Sequence, residues 1–304
     1  MTILEAVLVT AVVSGSFYAL LALALQVVFA TTRVLNFAIG ELAVLGMFAM
    51  WLTTTSWGLS AWVGLIFACA VGAGSGIVLY LACLRLTEGA PGFYSSLATF
   101  AFGAVLTGGV LVAFGNELHV VPPIVQGRAI HLAAMTITRD QMVLVGGAVV
   151  VMAGMWLLFQ KTWYGLAMRA HAASHSGAIV VGIEPRMVAL LACGISGGVA
   201  AFAGALLSPS NGAQFDLGTN YALVALVSAL LGGIGSPIGC VFGACIVALI
   251  DASISATVGS QFSPLALLGV ALVILSFRPN GLVSGRELHW PGVFLSLRKS
   301  LVAR

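Results

Sequence analysis

Apolar residues run along this chain in long uninterrupted stretches rather than alternating with polar ones. Charge-free runs cover 6–32, 42–84, 89–116, 141–160, 187–215, 217–250 and 252–277. A charge at the centre of a bilayer is costly, so the gaps between charges outline membrane-spanning helices, each needing about 20 residues. Two runs exceed one span. The run 42–84 is interrupted by Trp51 to Ser60 (WLTTTSWGLS), where threonines and a tryptophan pair suit the membrane surface. The run 217–250 is interrupted by Gly232-Gly233-Ile234-Gly235-Ser236-Pro237-Ile238-Gly239, whose glycine and proline density breaks helix periodicity. With both splits the pattern predicts nine spans, within the roughly eight to ten that the length allows.

Composition supports lipid as the solvent. The 304 residues are 61% hydrophobic and 7% charged, against roughly 45–50% and about 25% in soluble domains. One membrane domain, 1–304, is expected, with no large soluble domain. Glycine, at 37 residues, lets membrane helices approach closely, and GxxxG pairs occur at Gly72/Gly76, Gly194/Gly198, Gly235/Gly239 and Gly239/Gly243. The five cysteines show no CxxC spacing and read as small buried side chains. MTILEAV lacks a basic leader region, so no cleaved signal peptide is expected.

Charge placement gives an orientation. Nine spans put Arg33, Arg85, Lys161, Arg169, Arg186, Arg278, Arg286, Arg298, Lys299 and Arg304 on one side, ten of the 12 basic residues, with only Arg128 and Arg139 opposite. The positive-inside rule then predicts the N-terminus outside and the C-terminus in the cytoplasm. Loop 115–139 becomes external, 161–186 the longest cytoplasmic connection, and 286–304 a cytoplasmic tail.

Few residues could carry chemistry. No GxxxxGK[ST] pattern is present. The GAGSG stretch at 72–76 lacks an intramembrane histidine to activate its serine, so packing glycine is the better reading. Asn36 and Glu41 sit where the second helix starts, either capping it or lining a polar pathway. Asp251, between two apolar runs, either faces a partner inside the bundle or marks a loop. Gln214-Phe215-Asp216-Leu217-Gly218 reads as an external turn. The Ala-rich stretch from Thr162 to Pro185 predicts a short helix along the inner face, suited to docking another protein. These residues leave a transport subunit, an ion-coupled carrier using Glu41 or Asp251, and a membrane enzyme open as classes.

The chain resembles the LivH-type membrane subunits of branched-chain amino acid ABC importers. The likeness is carried by Gly15, Tyr18-Ala19-Leu20, the run Arg33 to Glu41, Gly165 with Arg169-Ala170, Ala178 with Gly182-Ile183, Gly232 to Gly239, Asp251 and Arg278-Pro279-Asn280-Gly281-Leu282. It implies an inverted-repeat bundle with partly broken helices in the cell's inner membrane. The breaks at Asn36–Glu41 and Gly232–Gly239, one in each half, are expected near the path. The substrate path is expected to include Tyr18, Asn36, Phe37, Glu41, Gly232, Gly233, Gly235 and Asp251. Gly165, Arg169, Ala170, Ala178, Gly182 and Ile183 are expected to couple to an ATPase. The implied partners are a second LivM-type permease or a second copy of this chain, two cytosolic ABC ATPases and an extracytoplasmic binding protein, with no nucleic acid. This chain is expected to be no enzyme and to bind no metal or cofactor, ATP being held by the ATPases. Branched-chain or other apolar amino acids are the implied cargo, with urea, short amides or small organic acids as the alternative.

Overall fold

The computed structural model describes residues 3–125, 130–132, 135–173, 182–257 and 259–277. Its helices are α1 (Ile3–Thr32), α2 (Ile39–Trp51), α3 (Ala61–Leu79), α4 (Gly92–Phe114), α5 (Arg139–Lys161), α6 (Trp163–Ala173), α7 (Pro185–Asn211), α8 (Leu217–Gly232), α9 (Pro237–Thr257) and α10 (Ser263–Phe277). π-turns extend α2 through Leu52–Ser56 and α3 through Tyr80–Leu84. Among the described residues, seven helices are long and apolar enough to span a bilayer, and α8 is a shorter apolar one. The chain is an all-α polytopic membrane protein. A small antiparallel pair, β1 (Ile130–Leu132) with β2 (Met135–Ile137), decorates the loop before α5.

Backbone-to-backbone contact at glycine organises the core. A Cβ on Gly72 or Gly76 would strike the carbonyls of Gly197 and Cys193, so α3 lies directly on α7. Likewise Gly46 abuts Ala201 and Gly204 abuts Ala43, fixing α2 across α7. Between α8 and α9, Gly232 and Gly239 face each other's backbone, and Gly243 sits against Ser228 and Gly232. Such contacts supply the dispersion and shape fit that replace hydrophobic driving force within lipid. On the periphery, α4 and α5 present apolar side chains such as Val105, Val112, Val149 and Val150 outward.

The loops gather at two ends, as the charge pattern predicts. The end of α1, the 85–91 turn and the start of α7 line one groove of about 880 Å³. At the opposite end, His119 and Ala213 exchange backbone hydrogen bonds of 3.0 and 2.9 Å, and Trp51 and Phe48 pack on His119.

Two helices start inside the bundle. Gly103, midway along α4, packs on Ala38 and Glu41 at the head of α2. From there α2 runs toward the His119 end, where Phe48 stacks on Phe114 at 4.8 Å. Phe17, midway along α1, meets Tyr221 near the head of α8 at 4.8 Å. That helix runs the other way, to the level where Gln26 Oε1 accepts the Gly235 N–H at 3.1 Å. The two heads abut, because a Cβ on Gly40 would overlap Gly218 and Ala222 backbone. Phe37-Ala38-Ile39-Gly40-Glu41 and Phe215-Asp216-Leu217-Gly218-Thr219 share the spacing Phe-x-(Ile/Leu)-Gly.

Two expectations are corrected here. The interruption paired with Asn36–Glu41 is the 212–216 segment, not Gly232–Gly239. Gln214–Gly218 is therefore more than an external turn: after Ala213 it descends to mid-bundle. Of the two readings of Asp251, the one that has it face a partner inside the bundle holds: it lies within α9, with Tyr18 donating to it, and the chain turns at 259–262.

Candidate functional site

Glu41 lies in the first turn of α2, 7% exposed. The turn before it is held in place from two sides. Asn36 Oδ1 accepts the Ala38 N–H at 3.1 Å, while Thr99 of α4 accepts the Phe37 N–H at 3.1 Å and donates to the Leu35 carbonyl at 3.2 Å. Asn36 is thus a buried turn residue, with the strong local preference of an Asx side chain for such geometry. The Glu41 carboxylate rests against Gly218, where any Cβ would overlap it. Thr219 donates to Oε1 at 3.4 Å, while the Thr107 hydroxyl, in the same cavity wall, donates to the Gly103 carbonyl at 3.2 Å. Helix N-termini favour a nearby negative charge, and this carboxylate sits at two of them.

Around Glu41 is a cavity of about 290 Å³, with Phe37, Phe100, Thr107, Thr219, Leu223 and Leu226 in its wall. It opens between α4 and α8, where Phe100, Ala104 and Thr219 are exposed. The mouth is mostly apolar, with Thr219 beside Phe100 and Ala104, but the acid behind it is unfavourable against hydrocarbon and suits a water-filled path or a protein neighbour.

The other expected pathway residues lie elsewhere. Tyr18 donates to Asp251 at 2.5 Å, and Ser263 donates to the other Asp251 oxygen, so this trio ties α1, α9 and α10 together. Phe17 and Tyr221 occupy the face of α8 turned from the cavity. Gly232, Gly233 and Gly235 form the turn beside Gln26, about 21 Å along α8 from Gly218 at 1.5 Å per residue. Gly233 and Gly235 have φ of 96° and 114°, which glycine adopts readily. Thr99, Thr107, Thr219 and Gln26 escape a reading of the sequence, because a single hydroxyl or amide in an apolar run looks like ordinary helix surface.

At the groove end, α6 folds back on α5. A Cβ on Gly165 would strike the Leu158 and Phe159 carbonyls. Met168 is buried and packs in a cluster with Val27, Met155, Val188 and Ala192, leaving Trp163, Tyr164, Leu166 and Arg169 exposed. Ala170 is on the same helix. Gly182, at φ 82°, and Ile183 lead into α7. There Arg186 pairs with Glu88 at 3.0 Å, and Tyr80 donates to the same carboxylate at 3.2 Å. Ala178 and the 286–304 tail lie outside the described residues.

The sequence model of the "branched-chain amino acid transport system / permease component" family matches residues 7–276. The chain belongs to this family. It is 24% identical over 298 residues to the high-affinity branched-chain amino acid transport system permease protein BraD of Pseudomonas aeruginosa, covering 93% of this chain and 96% of that one. To the probable branched-chain amino acid transport permease protein LivH of Methanocaldococcus jannaschii it is 27% identical over 257 residues, 83% and 81% of the two chains. Its fold is similar to a chain of PsaBC from Streptococcus pneumoniae in complex with Fab, with a TM-score of 0.51, 12% identity and 96% of both chains covered. The chain is accordingly a permease subunit of a transport system.

Proposed function

We propose that this chain forms one wall of the translocation path of an ATP-driven importer for small apolar amino acids, branched-chain ones among them. The observation that carries the reading is the Glu41 cavity, placed where two oppositely directed half-helices meet at mid-bundle. Broken helices of this kind border substrate sites in transporters. The mouth between α4 and α8 needs a protein cover, which supports a second permease, either LivM-type or another copy of this chain, docking there.

The exposed face of α6 and the Gly182-Ile183 segment would receive two cytosolic ATPases, and an extracytoplasmic binding protein would deliver cargo at the His119 end. In this orientation the N-terminus is outside and the tail cytoplasmic, in the inner membrane. ATP stays on the ATPases. Their closure moves α6, and through Met168 and the Arg186–Glu88 pair the motion reaches α1, α5 and α7. Selectivity rests mainly with the binding protein, so the cavity needs only a weak grip.

The test is uptake by the full assembly in liposomes. Filling the cavity with Leu226→Trp should abolish ATP-driven uptake of labelled leucine although the assembly is recovered intact. Uptake at the wild-type rate through the filled cavity refutes the path.

A further inference from the structure

We infer that Glu41 is the counter-charge for a cationic nitrogen on the cargo, and that any carboxylate of the same cargo is met by a group outside this chain. The inference rests on the preceding reading that the cavity belongs to the path. The carboxylate is withdrawn from solvent, the residue being 7% exposed, and it meets the Thr219 hydroxyl and the head of α8 at Gly218. Among the described residues no cationic side chain lines the cavity, and the Arg186–Glu88 ion pair lies away from it, at the groove end. Hydroxyls and helix N-termini keep a carboxylate solvated without neutralising it. A buried carboxylate stays charged when an opposite charge completes it and otherwise takes up a proton, and the open side of the cavity is where a cation can reach Glu41.

The remaining wall describes the rest of the ligand. Phe37 and Phe100 offer ring faces, which favour an ammonium near them, and Leu223 and Leu226 offer aliphatic surface. A volume of about 290 Å³ is at the small end of ligand pockets, roughly 300–1,000 Å³. The chemical class is thus a small primary ammonium on a compact apolar body. An anionic group would be repelled by Glu41 and finds no cation on this wall. A zwitterion therefore enters with its nitrogen toward Glu41 and its carboxylate turned to the α4–α8 mouth. Neutral ureas and amides lack the charge that the wall calls for.

The experiment uses the complete importer in liposomes, with wild type, Glu41→Gln, Glu41→Asp and Leu226→Trp compared with one and the same binding protein. ATP-driven leucine uptake is measured with 3-methylbutylamine (leucine without its carboxylate) or 4-methylpentanoate (leucine without its ammonium) as competitor. Glu41→Gln keeps the shape and the hydroxyl contact, so a purely structural role predicts little change. The expected result is at least a tenfold loss of uptake in Glu41→Gln, with most uptake kept in Glu41→Asp. Inhibition by the amine should weaken at least tenfold in Glu41→Gln, and the acid's effect should not change. If Leu226→Trp blocks uptake while Glu41→Gln transports and responds to the amine like wild type, the path stands and the counter-charge is overturned. If Leu226→Trp transports normally, the path itself is overturned and the assignment with it. Leucine uptake driven by a sodium or proton gradient without ATP, and lost in Glu41→Gln, would assign Glu41 to the ion and overturn the cargo role.

Discussion

Replacing Gly40 by alanine tests whether the junction of α2 and α8 holds the site together. The new Cβ would overlap the Gly218 carbonyl and stand 2.6 Å from Ala222 N. Ordinary contact begins near 3.4 Å, so the two helices must part by about 0.8 Å at that atom. Both obstacles are backbone, and no side chain can swing away. Overpacking of this kind costs about 1–3 kcal/mol, and alanine's better helix propensity returns roughly 0.5–1 kcal/mol. A net loss of about 1–2 kcal/mol is expected, a factor of about 5–30 in the population of the packed state. The comparison is Gly74→Ala, where nothing lies within 4 Å and the same methyl should be neutral or slightly stabilising. Thermal melting of the purified assembly should fall by a few degrees for Gly40→Ala only. Leucine uptake should drop with it, since Gly218 and Thr219 move off Glu41. Equal melting and uptake for the two alanine variants would refute close approach at this junction.

Asp251→Leu leaves the Tyr18 and Ser263 hydroxyls without their acceptor and should cost about 1–3 kcal/mol, seen in melting, whereas Asp251→Asn keeps one acceptor oxygen and should lose less. Gln26→Met removes the acceptor for the Gly235 N–H but also a buried Nε2 that lacks a partner among the described residues, so a loss of about 1 kcal/mol or less is expected by the same assay. Gly182→Val places a β-branched residue at φ 82°; ATP hydrolysis by the assembly should continue while uptake per ATP falls. Arg186→Gln breaks a largely exposed ion pair, and melting should be unchanged within error at physiological salt, because such pairs are screened and weak.

The spans were legible because lipid imposes one rule on every residue: charges mark the ends. The charge-free runs fall on helices and both splits fall where the chain turns, but the boundary drawn at Asp251 lies inside α9. The grouping of Arg33, Arg85 and Arg186 at one end follows from the same rule. The buried ends of α2 and α8 were not equally legible. Asn36 and Glu41 announce a break by their polarity, whereas the 212–216 segment carries a glycine and an aspartate, the usual marks of a surface turn. Gly232–Gly239 has the louder signature, yet its glycines serve helix contact and a tight turn against Gln26. Asp251 illustrates a different limit. A charge in an apolar run divides spans only if it is exposed, and Tyr18, 233 residues away, supplies the partner that lets it stay inside a helix.

The relation between the two halves explains why one acid and one threonine meet at the centre. Glu41 and Thr219 follow Gly40 and Gly218 at matching positions of the Phe-x-(Ile/Leu)-Gly spacing, and the helix heads abut through those glycines. A second carboxylate at position 219 would stand within hydrogen-bond range of the first, and like charges that close cannot both ionise. A hydroxyl there instead donates to the acid. The repeat can therefore be symmetric in backbone and small residues, which build the crossing, but not in charge. Thr219→Glu puts this to the test: with two acids facing each other, one must bind a proton, and the pH profile of leucine uptake should shift from that of wild type because the pair, not Glu41 alone, now titrates. Uptake by Thr219→Glu with the pH profile of wild type would mean that positions 41 and 219 do not face one another in the working assembly.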